Sequence, residues 1–330
     1  MTTVTAPAHE ALRWRPITAE DVPAWHRLVE AIELADDPGE RYTPDDLREE
    51  LLEGSWKDPA RDSILGVDAD GEARAFGQVE VLPGDVRTVR AFCWGGVHPQ
   101  WRERGIGRAL LAWQEELGRA KIAAADREGA PGRLLVSAED RMVSVCRLLD
   151  RAGFREMRYF VELSRPLDEQ VAPAPLRDGL RLVPFDPALS EQVRLAHNEA
   201  FAGHWGSEPR TKESWDRGVT GSRRFRAAWS FVVLDGEEVA GYSLTSAYEQ
   251  DWEAQGYTSG WTDVLGVRSA WRRQGVASAL LAATMAALRA DGIERADLDV
   301  DTDNSSRALD LYTALGYRPT RRTVTYGKDV

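Results

Sequence analysis

The chain has 330 residues, of which 43% are hydrophobic and 29% are charged, and its formal net charge at pH 7 is −12. These values are typical of globular proteins, and the length suffices for two domains that each bury a core. The acidic balance argues against binding to a phosphate backbone as the main activity, so we expect no nucleic-acid partner. It permits a cationic amine as substrate.

The sequence carries no sign of a membrane span or of a disulfide framework. No apolar run approaches the ~20 residues that are needed to cross a bilayer, and residues 1–10 lack the pattern of a signal peptide. Cys93 and Cys146 are the two cysteines of the chain, too few for a disulfide framework. We therefore expect a cytoplasmic protein with no membrane partner, either a monomer or a homodimer.

Hydrophobic periodicity and capping signals predict an α+β unit in the first half of the chain. Thr18 and Thr43 are typical helix N-caps, and Asp70-Gly71 is typical of a turn between two strands. The predicted strands are residues 12–16, 63–68, 73–82, 86–97, 133–138 and 159–164. The predicted helices are residues 18–34, 45–53, 108–128 and 143–152.

The same order of elements restarts after residue 179, which indicates an internal duplication. Residues 164–179 contain three prolines and no periodicity. We therefore expect domains at residues 1–166 and 180–330, joined by a linker at 167–179. The second set of predicted strands is 180–184, 229–234, 239–247, 256–267, 296–300 and 318–326. The second set of predicted helices is 190–201, 211–218, 278–290 and 305–315.

In both halves a strand passes through a glycine into a helix. Arg102 and Gly105 recur as Arg272 and Gly275 at one spacing of 170 residues (272 − 102 and 275 − 105). The free N–H groups at a helix start and the positive end of its dipole attract anions, and glycine lets the backbone come close. The pattern predicts a site for a diphosphate-sized anion in each half.

A second motif follows in the second half, with Asn304, Ala308, Tyr312, Gly316 and Tyr317 at fixed spacing. Together, the two motifs resemble the GNAT (GCN5-related N-acetyltransferase) superfamily, and the resemblance covers nearly the whole chain as two copies. It implies two tandem GNAT folds, each a mixed sheet flanked by helices. It also implies acetyl-CoA as donor and N-acetylation of a primary amine of a small molecule by direct attack in a ternary complex.

The resemblance implies which residues hold acetyl-CoA. In this superfamily the strand before the anion loop binds the thioester and the pantetheine arm, the loop N–H groups bind the diphosphate, and an asparagine contacts the CoA arm. The corresponding residues of the second copy are Leu265, Gly266, Val267, Arg272, Arg273, Gln274, Gly275, Val276, Ala277 and Asn304. Those of the first copy are Gly95, Gly96, Val97, Arg102, Glu103, Arg104, Gly105, Ile106 and Gly107. Whether the first loop binds CoA or only retains the fold stays open.

Tyr312 matches the tyrosine that in this superfamily protonates the departing thiolate, and a phenol with a pKa of ~10 is a plausible donor. Alignment of Gly153 with Gly316 places Leu149 opposite Tyr312 and Arg141 opposite Asn304. Leucine has no proton to donate. We therefore expect the first copy to be catalytically silent and the second copy to be active.

The base that deprotonates the amine is predicted from strand alternation, which places Trp261, Asp263, Leu265 and Val267 on one face. Asp263 is the carboxylate in phase and is the candidate base. A glutamate position of the family, nearer the start of the strand, falls on Trp261 here. The layout of two copies with a degenerate first half resembles the mycothiol synthases, but the departure at Trp261 leaves the acceptor open.

The acceptor pocket is expected next to residues 201–206, which in this superfamily form its wall. His204 and Trp205 are candidates for binding the substrate, with His197 a weaker candidate. Glu249 and Asp251, on a predicted loop, are alternatives that would act through water.

Two further interpretations complete the analysis. Asp299 and Asp301 alternate with Leu298 and Val300, which is typical of the polar face of a strand, so we expect no metal site. The alternative to an enzyme is a non-catalytic CoA-binding or CoA-sensing protein built on two such units.

Overall fold

The computed structural model describes residues 4–125, 127, 129–169, 172, 174–303 and 308–330. The chain divides into two compact units. The first unit comprises residues 1–158 and 323–330, and the second comprises residues 159–322. Among the described residues, no helix combines the length and the apolar character needed to cross a bilayer.

The sheet of the first unit has the order β1-β2-β3-β4-β5-β12. Only β4 and β5 pair in parallel among these neighbours. The strands are β1 (Arg13–Arg15), β2 (Ser63–Val67), β3 (Ala73–Val81), β4 (Val89–Val97), β5 (Gly132–Glu139) and, from residue 323, β12 (Arg318–Asp329). The helices are α1 (Val22–Asp36), α2 (Pro44–Leu52), α3 (Pro59–Asp62), α4 (Ile106–Ala124) and α5 (Val143–Arg151).

The two faces of this sheet are covered by different helices, because strand residues alternate between the faces. Phe76 enters a core cluster with Trp25 of α1 and Leu47 of α2. Its neighbour Gly77 faces α4, since a Cβ there would lie 2.7 Å from Leu110 Cδ1. The predicted N-cap at the start of α2 is confirmed: the Thr43 hydroxyl accepts from the backbone N–H of Asp46.

The sheet of the second unit has the order β6-β11-β10-β9-β8-β7. Here β10 and β11 pair in parallel and the other neighbours are antiparallel. The strands are β6 (Arg155–Pro166, from residue 159), β7 (Leu180–Pro184), β8 (Phe231–Asp235), β9 (Glu238–Ser246), β10 (Ser259–Val267) and β11 (Arg295–Asp301). The helices are α6 (Ser190–Ala200), α7 (Lys212–Trp215), α8 (Glu249–Gln255), α9 (Val276–Ala290) and α10 (Ala308–Ala314).

Helices again cover both faces of the sheet. Val193 of α6 and Trp215 of α7 share a core cluster with Leu244 of β9. On the other face, α9 and α10 pack on β11 through a cluster that includes Met285 and Leu298. The expected fold class, a mixed sheet flanked by helices in two copies, is confirmed.

The compact units differ from the expected domain boundaries at both ends. Residues 159–166 extend the second sheet by pairing with β11, from Phe160↔Asp301 to Pro166↔Arg295. Residues 323–329 pair with β5 in the first sheet. Leu167, at the start of the expected linker, is buried in the second unit and donates its N–H to Glu294 O. No local sequence signal specifies which sheet a closing strand joins, so the periodicity could not place these segments.

Several elements differ from prediction, and two of them lie in the second unit. The expected strand 256–267 begins later, at Ser259, and α8 precedes it. The expected helix 211–218 is shorter, because α7 is followed by a π-helical turn, Asp216–Thr220. Of the expected helix 305–315, residues 305–307 lie outside the described residues, and Ala308–Ala314 are helical.

Candidate functional site

Strands β10 and β11 run side by side over a short distance and then separate. Their register extends from Ser259↔Arg295 to Trp261↔Asp297, whereas β10 stays paired with β9 as far as Val267. The backbone groups on the free edge of β10 therefore lack a partner strand. The gap between the two strands widens toward Val267, the end of β10 that leads to α9.

A β-bulge interrupts β10 at Asp263. In the register with β9, Thr262 faces Thr245 and Val264 faces Leu244, so Asp263 is the extra residue. A bulge bends the strand and redirects side chains, and bulges are frequent beside active sites.

The bulge reverses the alternation of side chains along β10. A Cβ at Gly260 would lie 2.2 Å from Leu288 of α9, so Gly260 faces α9 and Trp261 faces away. Beyond the bulge it is Leu265 and Val267 that pack in the cluster of α9. The expectation that the odd-numbered residues from Trp261 to Val267 share one face is therefore wrong, because one inserted residue shifts the phase.

Asp263 is held by two hydroxyl groups. Tyr248 Oη donates to Asp263 Oδ1 at 2.9 Å, and Ser246 Oγ donates to Oδ2. Burial raises the pKa of Asp263 to about 6, with a further rise from Asp299, while the two hydroxyl groups and Arg224 act in the opposite direction. Such a carboxylate is ionised at pH 7 and is a stronger base than an ordinary aspartate.

Tyr312 of α10 lies in the hydrophobic cluster with Met285 and Leu298 and is 7% exposed. Its ring centroid is 5.9 Å from that of Tyr317. Burial raises the pKa of Tyr312 to about 12, and the charge of Asp299 adds to the rise. The phenol therefore keeps its proton at physiological pH and can act as a donor.

Asp299 of β11 links the two candidate catalytic residues. Its charge raises the pKa of both Asp263 and Tyr312, so Asp299 lies within electrostatic range of each. The neighbours Leu298 and Val300 enter the hydrophobic cluster, whereas Asp299 is exposed. The sequence predicts for Asp299 only the polar face of a strand or the end of one, and not a position near Asp263 and Tyr312. The parallel pairing of β10 with β11 was the signal that could have identified it.

The loop before α9 has an unusual backbone. Gly275 has a φ of 80° and Arg273 a φ of 61°, both in the left-handed region. A Cβ at Gly275 would lie 2.9 Å from the carbonyl oxygen of Pro175, so a side chain does not fit there. The first copy repeats the conformation at Gly105 and Glu103, with φ of 86° and 64°. Each loop leads into a helix N-terminus, where free N–H groups can bind an anion.

The two loops differ in charge. Arg272 donates to Val267 O at 3.2 Å and to Ala200 O at 2.9 Å, which are neutral partners. Arg102 instead binds both carboxylate oxygens of Asp36 at 2.6 and 2.7 Å. The charge of Arg102 is thus compensated by an acid, whereas the partners of Arg272 among the described residues are backbone carbonyl groups.

Strand β4 of the first unit contains no bulge. Its register with β3 is continuous from Val81↔Ala91 to Ala75↔Val97, so no residue of β4 corresponds to Asp263. The pairing of β4 with β5 nevertheless ends early, at Phe92↔Leu135. In the first unit β4 and β5 therefore separate as β10 and β11 do, but β4 carries no counterpart of Asp263.

Aromatic rings fill the corresponding region of the first unit. The ring centroid of Trp94 on β4 is 4.8 Å from Phe76, 5.1 Å from Tyr42 and 5.7 Å from Trp25. Leu149, which aligns with Tyr312, is 1% exposed. This unit therefore presents an apolar core where the second unit presents polar groups.

Glu249 and Asp251 were predicted to lie on a loop, but they belong to helix α8. Their spacing in Glu-Gln-Asp-Trp-Glu was compatible with a helix that the sequence analysis missed. Glu249 forms an ion pair with Arg226 at 2.7 Å. Asp263, which two hydroxyl groups hold beside the gap between β10 and β11, fits the role of base better.

His204 and Trp205 lie in the turn after α6 and are half-buried. The His204 ring is 5.4 Å from that of Phe201, and its Nδ1 lies 3.3 Å from Trp205 O. Asn304 lies outside the described residues. Among the described residues, no three His, Cys, Asp or Glu side chains are grouped so as to hold a metal.

Known proteins resemble the chain over its whole length. The model of the acetyltransferase (GNAT) family matches residues 191–317. The mycothiol acetyltransferase of Salinispora arenicola (strain CNS-205) is 32% identical over 241 residues, 70% of each chain. That of Sanguibacter keddieii is 30% identical over 320 residues, 94% of this chain and 93% of the relative. The crystal structure of a GCN5-related N-acetyltransferase from Sphaerobacter thermophilus, 25% identical, has a TM-score of 0.76 over 98% of this chain and 97% of that one.

Proposed function

Because the chain belongs to the acetyltransferase (GNAT) family, whose members use acetyl-CoA, we propose that it acetylates a primary amine of a small molecule and that its second unit carries the reaction. The observation that carries the proposal is the bulge of β10. The bulge supports the proposal because the half-buried Asp263 lies on the stretch of β10 where the pairing with β11 has ended, within the electrostatic reach of Asp299, as Tyr312 is.

The proposed donor site follows from the backbone. The diphosphate lies at the start of α9, against residues 272–277, where Arg272 adds a positive charge and, in the described part of the chain, donates to backbone carbonyl groups. The thioester lies along the free edge of β10, between the bulge and Val267. Backbone N–H groups on that edge polarise the carbonyl, and because they are fixed in advance they stabilise the developing negative charge.

The proposed chemistry assigns one proton transfer to each of two residues. Asp263 takes one proton from the ammonium group of the acceptor, the neutral amine then attacks the carbonyl carbon, and the attacking nitrogen loses its second proton to water. As the carbon–nitrogen bond forms, the carbon–sulfur bond breaks, and Tyr312 donates its proton to the departing sulfur. Exchange with water then restores both residues. The raised pKa of Asp263, about 6, suits the first role, and the raised pKa of Tyr312, about 12, suits the second.

We propose that the first unit is catalytically silent. It has Leu149 in place of the tyrosine and a continuous β4 in place of the bulge. The aromatic cluster around Trp94 occupies the region in which an acceptor would lie. Its role is then structural, or the binding of a CoA that does not react.

The acceptor is an amine that carries positive charge. Asp263 and Asp299 both face the proposed site, and carboxylates favour an ammonium group. The relatives at about 30% identity are mycothiol acetyltransferases, so the amine acetylated in mycothiol formation is one candidate. Trp261 stands where the family has a glutamate, which favours a different acceptor or a different base.

The test is an acetyl-CoA assay with a panel of small primary amines, in which release of the CoA thiol and the acetylated product are both measured. We expect amine-dependent release with the wild-type chain and a large loss with Tyr312→Phe. Tyr326→Phe is the matched control, because its hydroxyl contacts Glu156 in the first unit. Binding of acetyl-CoA without turnover of any amine would favour the non-catalytic alternative.

A further inference from the structure

The hydroxyl of Tyr242, on β9, lies directly against the strand assigned to the thioester. A Cβ at Gly266 would lie 2.2 Å from Tyr242 Oη and 2.4 Å from Cζ, so only glycine fits at this position. Tyr242 is fully buried. Contact between its hydroxyl and the Gly266 backbone therefore limits how closely this part of β10 can approach the side chains of α6.

His197 of α6 holds that hydroxyl in place, with Nδ1 at 2.9 Å from Tyr242 Oη. The imidazole stacks on Phe201 at 4.6 Å and lies 5.2 Å from Trp215. Burial and the charge of Arg210 lower the pKa of His197 to about 4, and burial raises the pKa of Tyr242. Both groups are neutral at pH 7, so the pair is a buried hydrogen bond without charge.

The end of α6 is also tied to the anion loop. Arg268 forms an ion pair with Glu199 at 2.7 Å, and Arg272 donates to Ala200 O at 2.9 Å. The next residue, Phe201, begins the segment expected to form the wall of the acceptor pocket. Contacts of α6 therefore stabilise the donor strand, the anion loop and the start of this wall together.

The first unit fills the same position without polar groups. Its β3–β4 register places Phe76 opposite Gly96, as Tyr242 is opposite Gly266. A Cβ at Gly96 would lie 2.7 Å from Ile32 Cδ1 and 3.3 Å from Phe76 Cε1. Apolar packing thus suffices to support the strand in the silent copy. A buried polar pair gives little net stability, so its presence in the second copy indicates a different purpose.

We propose that His197 and Tyr242 are positioning residues of the acetyl transfer. They hold the backbone of β10 at Gly266 in the position from which its N–H groups can polarise the thioester carbonyl. The proposal rests on the proposed function of the second unit. Neither residue touches the reacting atoms. Their hydrogen bond sets the place of the backbone N–H groups that polarise the carbonyl, and small displacements of such groups have large effects on rate.

The test compares Tyr242→Phe, His197→Leu and the double variant in the full chain. We expect each single variant to lower kcat about tenfold and to raise KM for acetyl-CoA. The double variant should be no slower than either single variant, because the two residues act as one pair. His197→Asn, whose amide can reach the position of Nδ1, should recover most of the activity.

Phe76→Leu is the matched control, since it removes buried packing at the equivalent position of the silent unit. We expect it to lower the unfolding temperature and to leave kcat and both KM values unchanged. The proposal is overturned if Tyr242→Phe lowers the unfolding temperature but keeps wild-type kcat and KM, or if the two single effects simply add.

Two further measurements keep the outcome clear. If Tyr242→Phe does not fold, the comparison of His197→Asn with His197→Leu decides, and equal activity of these two variants contradicts the proposal. Calorimetric binding of acetyl-CoA needs no acceptor. If the wild-type chain binds acetyl-CoA but acetylates no amine, the proposed function fails. If the affinity for acetyl-CoA is unchanged in both Tyr242→Phe and His197→Leu, only the positioning role of the pair is contradicted.

Discussion

Tyr248 Oη donates a hydrogen bond of 2.9 Å to Asp263 Oδ1, and the contact depends on the extra residue that Asp263 adds to β10. In the first unit the strand has no such residue, and an aromatic cluster takes the place of this polar contact. One inserted residue thus distinguishes the strand that carries the proposed base from its counterpart in the first unit.

Asp263→Asn should remove the base of the reaction. We expect kcat/KM to fall about 100-fold or more, within the usual range for the loss of a general base. In the wild-type chain kcat/KM should decrease as the pH falls below about 6, the pKa of Asp263, and this acidic limb should be absent from the residual activity of the variant. A pH–rate profile measures both. An unchanged limb in the variant would exclude Asp263 as the base.

The same variant should be more stable than the wild-type chain at pH 8. Burial raises the pKa of Asp263 from 3.8 to about 6, so the folded state binds this proton more tightly than the unfolded state does. The contribution of this group to stability is therefore lost as the pH rises from about 4 through 6. Removing the charge should add about 1 to 2 kcal/mol to the unfolding free energy at pH 8.

Denaturant unfolding at pH 8 and pH 4 checks this prediction. The gain should disappear at pH 4, where Asp263 is protonated in the folded chain. Asp70→Asn is the control, because it removes the same formal charge from an exposed turn. Equal effects of the two variants at pH 8 would show that net charge alone is responsible.

Tyr312→Phe should lower kcat about 10- to 100-fold and leave KM for acetyl-CoA nearly unchanged, because the hydroxyl acts on the departing sulfur. Since the pKa of Tyr312 is raised to about 12, the wild-type rate should not decline between pH 8 and pH 10 through loss of this proton. Steady-state kinetics over that range provide the measurement. A decline centred near pH 10 would mean that the tyrosine is less buried than described.

Gly275→Ala should weaken acetyl-CoA binding about tenfold or more. The residue has a φ of 80°, and a Cβ would lie 2.9 Å from the carbonyl oxygen of Pro175, so the loop must shift. Gly292→Ala is the matched control, with a φ of +76° and open space around its Cβ. Both variants bear the backbone strain of a positive φ, but only Gly275→Ala adds the steric contact in the anion loop. Calorimetry should therefore find a loss of affinity for acetyl-CoA only in Gly275→Ala.

Truncation after Arg322 should destabilise the first unit, although the residues that it removes follow the second unit in the sequence. Residues 323–329 pair with β5, from Thr323↔Glu139 to Asp329↔Arg133, and Val324 and Tyr326 are buried. Hydrogen exchange should report faster exchange of the β5 amides. Truncation after Lys328 is the control and should leave most of the protection intact. Unchanged β5 protection after the longer truncation would contradict the pairing.

Local sequence signals were sufficient for most of the helices and strands and for the glycine turn that precedes α4 and α9. Periodicity, the N-cap at Thr43 and the repeated Arg-x-x-Gly each reflect a local rule that tertiary structure did not override. The loop residues Gly105 and Gly275 have the left-handed backbone that their role requires.

The bulge, α8 and the strand pairing could not be predicted in the same way. A bulge adds one residue to a strand without a change of composition, so the face of Asp263 depends on the pairing with β9. Residues 323–329 join the first sheet through contacts with β5 that are remote in sequence. The role of Asp299 likewise depends on the parallel pairing that sets β10 beside β11.

The most direct test of the central claim is the formation of N-acetylated amine from acetyl-CoA by the wild-type chain and by the double variant Asp263→Asn, Tyr312→Phe. We expect the wild-type chain to release one CoA thiol for each molecule of acetylated amine, and the double variant to form product about 1000-fold more slowly. Product formation by the double variant at the wild-type rate would contradict the account, because the chemistry would then lie outside the bulged strand of the second unit.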